Sequence, residues 1–212
     1  MKKELILIAF LIIIAVFLVS VSNFYKKNIE IADAKKFVMD DLASKYPGAS
    51  MSILSVTNRT NTAGDKYFEI KAKATQGETT PCPERIHIYY NYPAQNFVTQ
   101  PPDYVTLNCK VCSGVENKKC VIAFSEEAII ASHTLSGTSE VEAYIKSYKD
   151  VLPLTSEDES GWLVVWDSPF ASYSSTVSVS RSGSVLGIAK KEKISNLEKD
   201  TLKNTTKNTT GD

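Results

Sequence analysis

Residues 66–74 read Lys66-Tyr-Phe-Glu-Ile-Lys-Ala-Lys-Ala74 and alternate without a break. Phe68, Ile70, Ala72 and Ala74 fall on one side of an extended chain, and Tyr67, Glu69, Lys71 and Lys73 on the other. A period of two with apolar groups on one side predicts a strand in an antiparallel sheet with one solvated face. Working outward, Asn61-Thr-Ala-Gly64-Asp65 supplies turn chemistry before it. Residues 51–57 precede that turn as a short apolar strand. Residues 85–92 alternate again, with Ile86, Ile88, Tyr90 and Tyr92 against Arg85, His87, Tyr89 and Asn91. On the polar side, His87 is expected to be solvated or paired. Further upstream, Ile31, Ala34, Val38 and Leu42 recur at helical spacing over residues 29–46, and Pro47-Gly48 stops the helix. The first half is therefore expected to be a helix followed by an antiparallel meander.

The order repeats beyond an irregular stretch, residues 93–124, rich in Pro and Cys. Ser125 is a plausible N-cap, with Glu126 and Glu127 in the first turn. Ser139 and Glu142 have capping-box spacing at the start of a second helix whose apolar stripe is Val141, Tyr144, Ile145 and Tyr148. Trp162-Leu-Val-Val-Trp166 predicts a buried central strand, followed by strands over Tyr173–Val179 and Val185–Lys190 about the Ser182-Gly183 turn. Each half thus reads as helix followed by three strands.

The helix ending Lys45-Tyr46-Pro47-Gly48-Ala49 before a strand, and the closing hairpin Val177-Ser-Val-Ser-Arg-Ser-Gly183-Ser-Val-Leu186, resemble the PepSY and cystatin-like α+β families. The resemblance covers about half of the chain beyond residue 22. It implies an antiparallel sheet wrapped on a helix, used for protein binding or for restraining peptidases. The cysteine-rich connector departs from that pattern. So does the lack of a cystatin-type Gln-x-Val-x-Gly loop, and no inhibitory residue is carried over.

Residues 5–22, Leu5-Ile-Leu-Ile-Ala-Phe-Leu-Ile-Ile-Ile-Ala-Val-Phe-Leu-Val-Ser-Val-Ser22, carry no charge. As a helix they would span about 27 Å, close to the ~30 Å hydrocarbon core of a bilayer. Lys2 and Lys3 precede the run, and Phe24 and Tyr25 follow it. A transmembrane signal anchor is therefore expected, contacting the lipid bilayer through residues 5–22 and placing the remainder outside the cytoplasm. A signal peptide cut near Ser20-Val21-Ser22 is the rival reading and gives the same destination. The expected organisation is a cytoplasmic N-terminus at 1–4, the membrane helix at 5–22, a first α+β half at 23–92, the connector at 93–124, a second α+β half at 125–193 and a disordered polar tail at 194–212. Asn58-Arg59-Thr60, Asn204-Thr205-Thr206 and Asn208-Thr209-Thr210 match the glycosylation acceptor pattern.

Lys and Arg together number 24 and Asp and Glu 24, so the formal net charge is zero and no electrostatic case for nucleic acid arises. The four cysteines, Cys82, Cys109, Cys112 and Cys120, lie in or beside the connector. An even count in an exported chain points to disulfides. A Cys109–Cys112 bond would close a very small ring of the kind found in redox sites. That favours Cys112 crossing to Cys82 or Cys120 with Cys109 taking the remaining partner, and both pairings stay open. Two other chemistries fit the same residues: a four-thiolate zinc site on Cys82, Cys109, Cys112 and Cys120, and thiol exchange at Cys109 and Cys112. His133 is expected to cap the helix that it ends. No Gly-x-Ser-x-Gly, His-Glu-x-x-His, P-loop or Ser-x-x-Lys pattern is present. Tyr89, Tyr90, Tyr92, Phe97 and Tyr104, interleaved with Pro93, Pro101 and Pro102, are expected to cover the sheet edge and pack under the connector, with a rigid amphipathic contact surface as the alternative. The expected role is a non-enzymatic binding or cell-envelope structural module without a cofactor, partnered by another envelope or surface protein. The alternatives are an extracytoplasmic thiol oxidoreductase or other enzyme and a zinc-stabilised module.

Overall fold

The structure is a computed structural model that describes residues 12–14, 17, 30–95, 100–111 and 120–193. Helix α1 (Ile31–Lys45) is followed by β1 (Ser50–Thr60), β2 (Lys66–Gln76), β3 (Glu84–Tyr92) and the two-residue β4 (Asp103–Tyr104). Then come α2 (Ser125–Thr134), α3 (Ser139–Ser147), β5 (Leu152–Glu157), β6 (Gly161–Asp167), β7 (Tyr173–Ser180) and β8 (Val185–Glu192). The strands form two four-stranded sheets in the orders β1-β2-β3-β4 and β5-β6-β7-β8. Every pairing is antiparallel.

Two expectations of the sequence reading are corrected here. Among the described residues no helix is long and apolar enough to cross a membrane, so the transmembrane helix at 5–22 is not borne out. Of that run only residues 12–14 and 17 are described, and the rest lies outside. Each half also holds four strands rather than three. Asp103 and Tyr104 of the connector add to the first sheet by pairing with His87 and Ile86. Leu152–Glu157 adds to the second by pairing with β6. Both additions were hidden for the same reason: a two-residue strand, and a strand whose second residue is Pro153, show no readable alternation. The expected tail at 194–212 lies outside the described residues.

The first core forms because α1 turns Ala34, Val38 and Leu42 onto the apolar side of the sheet. There they meet Ile70, Ala72, Ala74, Ile86 and Ile88. Tyr90 joins them, and its hydroxyl donates to Asp41 Oδ2 at 2.8 Å. The second core packs α2 and α3 on the inner side of the other sheet. Ile122, Ile129, Val141, Tyr144, Val164, Trp166, Val177 and Val179 are among its buried apolar groups. β6 lies between β5 and β7, so it is central, and Trp166 is fully buried. The Trp166 indole N–H is satisfied at 3.0 Å by the Ser132 hydroxyl of α2, as a buried polar atom requires.

Backbone limits are tightest where β6 starts. Gly161 has φ +148°, and a Cβ there would lie 2.2 Å from the Val179 carbonyl oxygen of the neighbouring strand. Gly64, in the β1–β2 turn, has φ +86° with open space around it. Gly161→Ala should therefore destabilise by several kcal/mol, and Gly64→Ala by only about 1 kcal/mol, the cost of left-handed backbone alone. Urea denaturation of both variants checks the contrast; equal losses would contradict the clash.

Candidate functional site

Helix α2 has an unusual composition for a surface helix, since Glu126, Ser132 and His133 are buried together with Ala128, Ile129, Ile130 and Ala131. The helix is covered on several sides because it lies between its own sheet and the first half. Its two ends both reach back to residues more than forty positions earlier, and the buried acidic and basic side chains among the described residues, Arg85, His87, Glu126 and His133, collect at those ends.

At the N-terminal end, Glu126 is 1% exposed. Its Oε1 accepts from the Thr75 hydroxyl at 2.9 Å and lies 3.6 Å from Lys73 Nζ. Its Oε2 accepts from Arg85 Nη1 at 2.9 Å and from the Ser125 hydroxyl at 3.2 Å. Arg85 is itself 5% exposed. Its guanidinium stacks 3.6 Å over the Phe124 ring, and its Nε donates to His87 Nε2 at 3.0 Å. Its backbone is held as well: the Arg85 N–H donates to Thr106 Oγ1, which in turn donates to the Pro83 carbonyl, both at 2.8 Å. Burial opposes the Glu126 charge, but its backbone bond, Arg85 and Thr75 together outweigh that penalty and hold its carboxyl below the ordinary range. Next to it, Glu127 accepts from the Ala123 and Phe124 N–H groups. Those bonds do not offset its burial, and its pKa is raised.

His87 takes the paired of its two expected states, accepting from Arg85. It lies on the polar side of β3 yet is only 4% exposed, because the start of α2 and Phe124 cover that side. Burial, with the positive charges of Lys71 and Arg85, pushes its pKa down to about 4. The ring is therefore neutral near pH 7, with Nε2 as acceptor. The N-cap of α2 is Phe124 rather than Ser125, and Glu127 bonds back to its N–H. The N-cap of α3 is Thr138, while Glu142 turns away from the helix start to pair with Lys146 at 2.6 Å.

At the C-terminal end, His133 does not cap its helix. Its Nε2 lies 2.8 Å from the Pro81 carbonyl and 4.0 Å from Cys109 Sγ. Its ring meets Trp166 edge-on, with centroids 5.6 Å apart. Burial lowers its pKa. Cys109 is bonded to Cys82, 27 residues away. Cys82 is exposed and Cys109 half-buried. Cys120 is also disulfide-bonded, and Cys112 lies outside the described residues. Both bridge cysteines and His133 line an open cavity of about 560 Å³, together with Thr138, Glu142 and Ile145. Cys109 occupies a tight turn. Lys110 N–H donates to the Leu107 carbonyl at 3.2 Å, and Asn108 and Cys109 both have φ 55°. Left-handed φ at both central positions is the type I′ signature, which favours Asn and Gly; Cys109 is held there against its steric preference.

Those positions bear on the other expected sites. The Cys109–Cys112 thiol pair does not form, because Cys109 is bonded to Cys82. A four-thiolate zinc site would need that bridge open. Cys82, Cys109 and His133 place their ligand atoms within 4.8 Å of one another, but the sulfurs are spent on each other and the imidazole Nε2 on Pro81. Asn58 stands exposed on β1; Asn204 and Asn208 lie outside the described residues. Sequence reasoning missed Glu126, Arg85 and Thr75 as one cluster, and the only available signal was an Arg and a Thr on strands otherwise fit for packing.

No family model matches this chain, and no curated protein matches it. The resemblance to PepSY and cystatin-like domains therefore gains no support from a family model. A crystal structure of a candidate lipoprotein from Clostridium difficile 630 is similar over 73% of this chain and 90% of that one, at 13% identity and a TM-score of 0.18. At that score no inference about this chain rests on the likeness.

The buried cluster generates two expectations. Glu126→Ala leaves Arg85 buried without its carboxylate and should cost about 3–5 kcal/mol in urea denaturation; a loss under 1 kcal/mol would show that the cluster is not holding the halves together. The second concerns pH. Unfolded His87 protonates near 6.5, but in the folded protein only near 4. The unfolded state thus binds more protons between those values, so stability is full above about pH 6.5 and falls as pH drops towards 4. The loss should reach about 2 kcal/mol by pH 5, and His87→Gln, whose amide oxygen can still accept from Arg85, should flatten most of it.

Proposed function

We propose that this protein works outside the cytoplasm as a disulfide-stabilised, non-enzymatic module of the cell envelope or surface that binds another envelope or surface protein. The observation that carries this reading is the Cys82–Cys109 bridge, with Cys120 also bridged. Such bonds persist in oxidising compartments and are rare in cytosol. The buried charges support the non-enzymatic part. Both Glu126 oxygens are engaged, by Thr75, Arg85 and Ser125 with Lys73 beside them, and Arg85 also donates to His87. Such closure suits a structural tie between two halves better than a group that must meet a substrate.

Thiol titration in denaturant without reductant tests the compartment. The chain isolated from its own cells should show no free thiol; four free thiols would overturn the reading. Binding is tested by adding the purified chain to intact envelopes. Saturable binding that protease treatment of the envelopes abolishes supports a protein partner, and unsaturable binding counts against one. Cys82→Ser should expose one new thiol and lower stability by on the order of 3 kcal/mol, the chain-entropy value for a loop of this length.

A further inference from the structure

The geometry points to the Cys82–Cys109 bridge as an exchange site that takes up a low-molecular-weight thiol as a mixed disulfide on Cys82, with Cys109 leaving next to His133. This inference rests on the bridge that also carries the proposed function and goes beyond it, since a purely structural staple would not react.

Three observations combine. The first is access. Cys82 is exposed and Cys109 half-buried, and both line the open cavity of about 560 Å³. That volume lies in the range of small-molecule sites. A concave approach admits a small thiol more readily than a cysteine on the convex surface of a folded protein. The second is stabilisation of the leaving group. A carbonyl oxygen only accepts, so the 2.8 Å contact with Pro81 places the imidazole hydrogen of His133 on Nε2. That same Nε2–H lies 4.0 Å from Cys109 Sγ and can swing to a thiolate formed there. The tautomer also decides between exchange and metal binding. An Nε2 that carries hydrogen has no lone pair for a zinc ion, whereas it is suited to an anionic sulfur. Burial keeps this imidazole neutral near pH 7, so it acts as a hydrogen-bond donor with no change of charge. The third is the turn that holds Cys109. Its left-handed φ is a conformation that a residue with a Cβ resists, and opening the bridge frees the turn from its covalent tie.

The step balances as an exchange. The incoming thiolate attacks Cys82 Sγ, and a new S–S bond forms there. The Cys82–Cys109 bond breaks, and its electron pair leaves on Cys109 Sγ. The incoming sulfur is oxidised as Cys109 is reduced, so no further oxidant is needed. The Cys109 thiolate is held by His133 Nε2–H and then takes a proton from water. Exchange rates depend on access to the sulfur attacked and on the stability of the leaving thiolate, and both factors here select Cys82 as the site of attack.

The test treats the oxidised full chain with reduced glutathione, alkylates the free thiols in acid-quenched samples and maps the adducts by peptide mass spectrometry. Glutathione should be found on Cys82 and the alkyl group on Cys109, ahead of any adduct at the bridge that holds Cys120. His133→Ala should slow the exchange about tenfold, the loss expected for a hydrogen bond to a charged group. His133→Gln, which puts an amide N–H near the Nε2 position, should recover much of the rate. The Gln variant also provides the readout if the Ala variant fails to fold, because a packing role would not follow the donor. Adducts on Cys109, reaction at the Cys120 bridge first, or equal rates in wild type and both variants would overturn the inference. Cys82 and Cys109 found unbridged at the outset would overturn both readings, whereas a bridge that glutathione leaves untouched would overturn this one alone.

Discussion

The carboxylate of Glu126 joins two sheets that share no strand. It comes from α2 of the second half and is met by Thr75, Arg85 and Lys73 of the first. Removing a carboxylate from water costs several kcal/mol unless its oxygens are bonded, and a guanidinium behaves alike. Neither charge would be buried without the other. The tie is therefore conditional: it holds only when the two halves meet in the register that brings all of its members together. Apolar contact alone tolerates sliding, whereas a carboxylate with both oxygens engaged does not.

Helix α2 extends that constraint. About two turns separate Glu126 from His133, roughly 10 Å along the axis. Glu126 grips strands β2 and β3, and His133 grips the Pro81 carbonyl in the loop between them. One short helix thus holds both the ends of two strands and the loop that joins them. The same helix supplies Ser132 to the Trp166 indole in its own sheet. Both cores are consequently linked through a single element, and the disulfide lies where that element ends. A change at the bridge and a change at the buried charges are therefore expected to reach the same helix from opposite ends.

Much of the architecture was legible from periodicity. Phe68, Ile70, Ala72 and Ala74 alternate as read, and Ala34, Val38 and Leu42 form the buried stripe of α1. Trp162 to Trp166 is the central strand as expected. The misreadings share a cause. His87 and Arg85 share the polar side as read, but their burial was not legible, because alternation reports which residues share a side of a strand, not what covers that side. Ser125 and Ser139 looked like caps, but Phe124 and Thr138 take those positions, because cap geometry depends on how the chain enters the helix. The apolar run at 5–22 was read by its length and composition, and the described residues contain no membrane-crossing helix.

What the sequence determined by itself is local. It set the helical and strand periods, the turns at Gly64 and Gly183, and the apolar side of each element, because these follow from residue spacing and backbone sterics. Tertiary structure alone decided which cysteine meets Cys109, where His133 points, and that Glu126 finds Arg85 across 41 positions of chain. The physical reason is range. Periodicity acts over one turn or one strand, whereas a bridge or a buried ion pair depends on positions that only the packing of whole elements brings together.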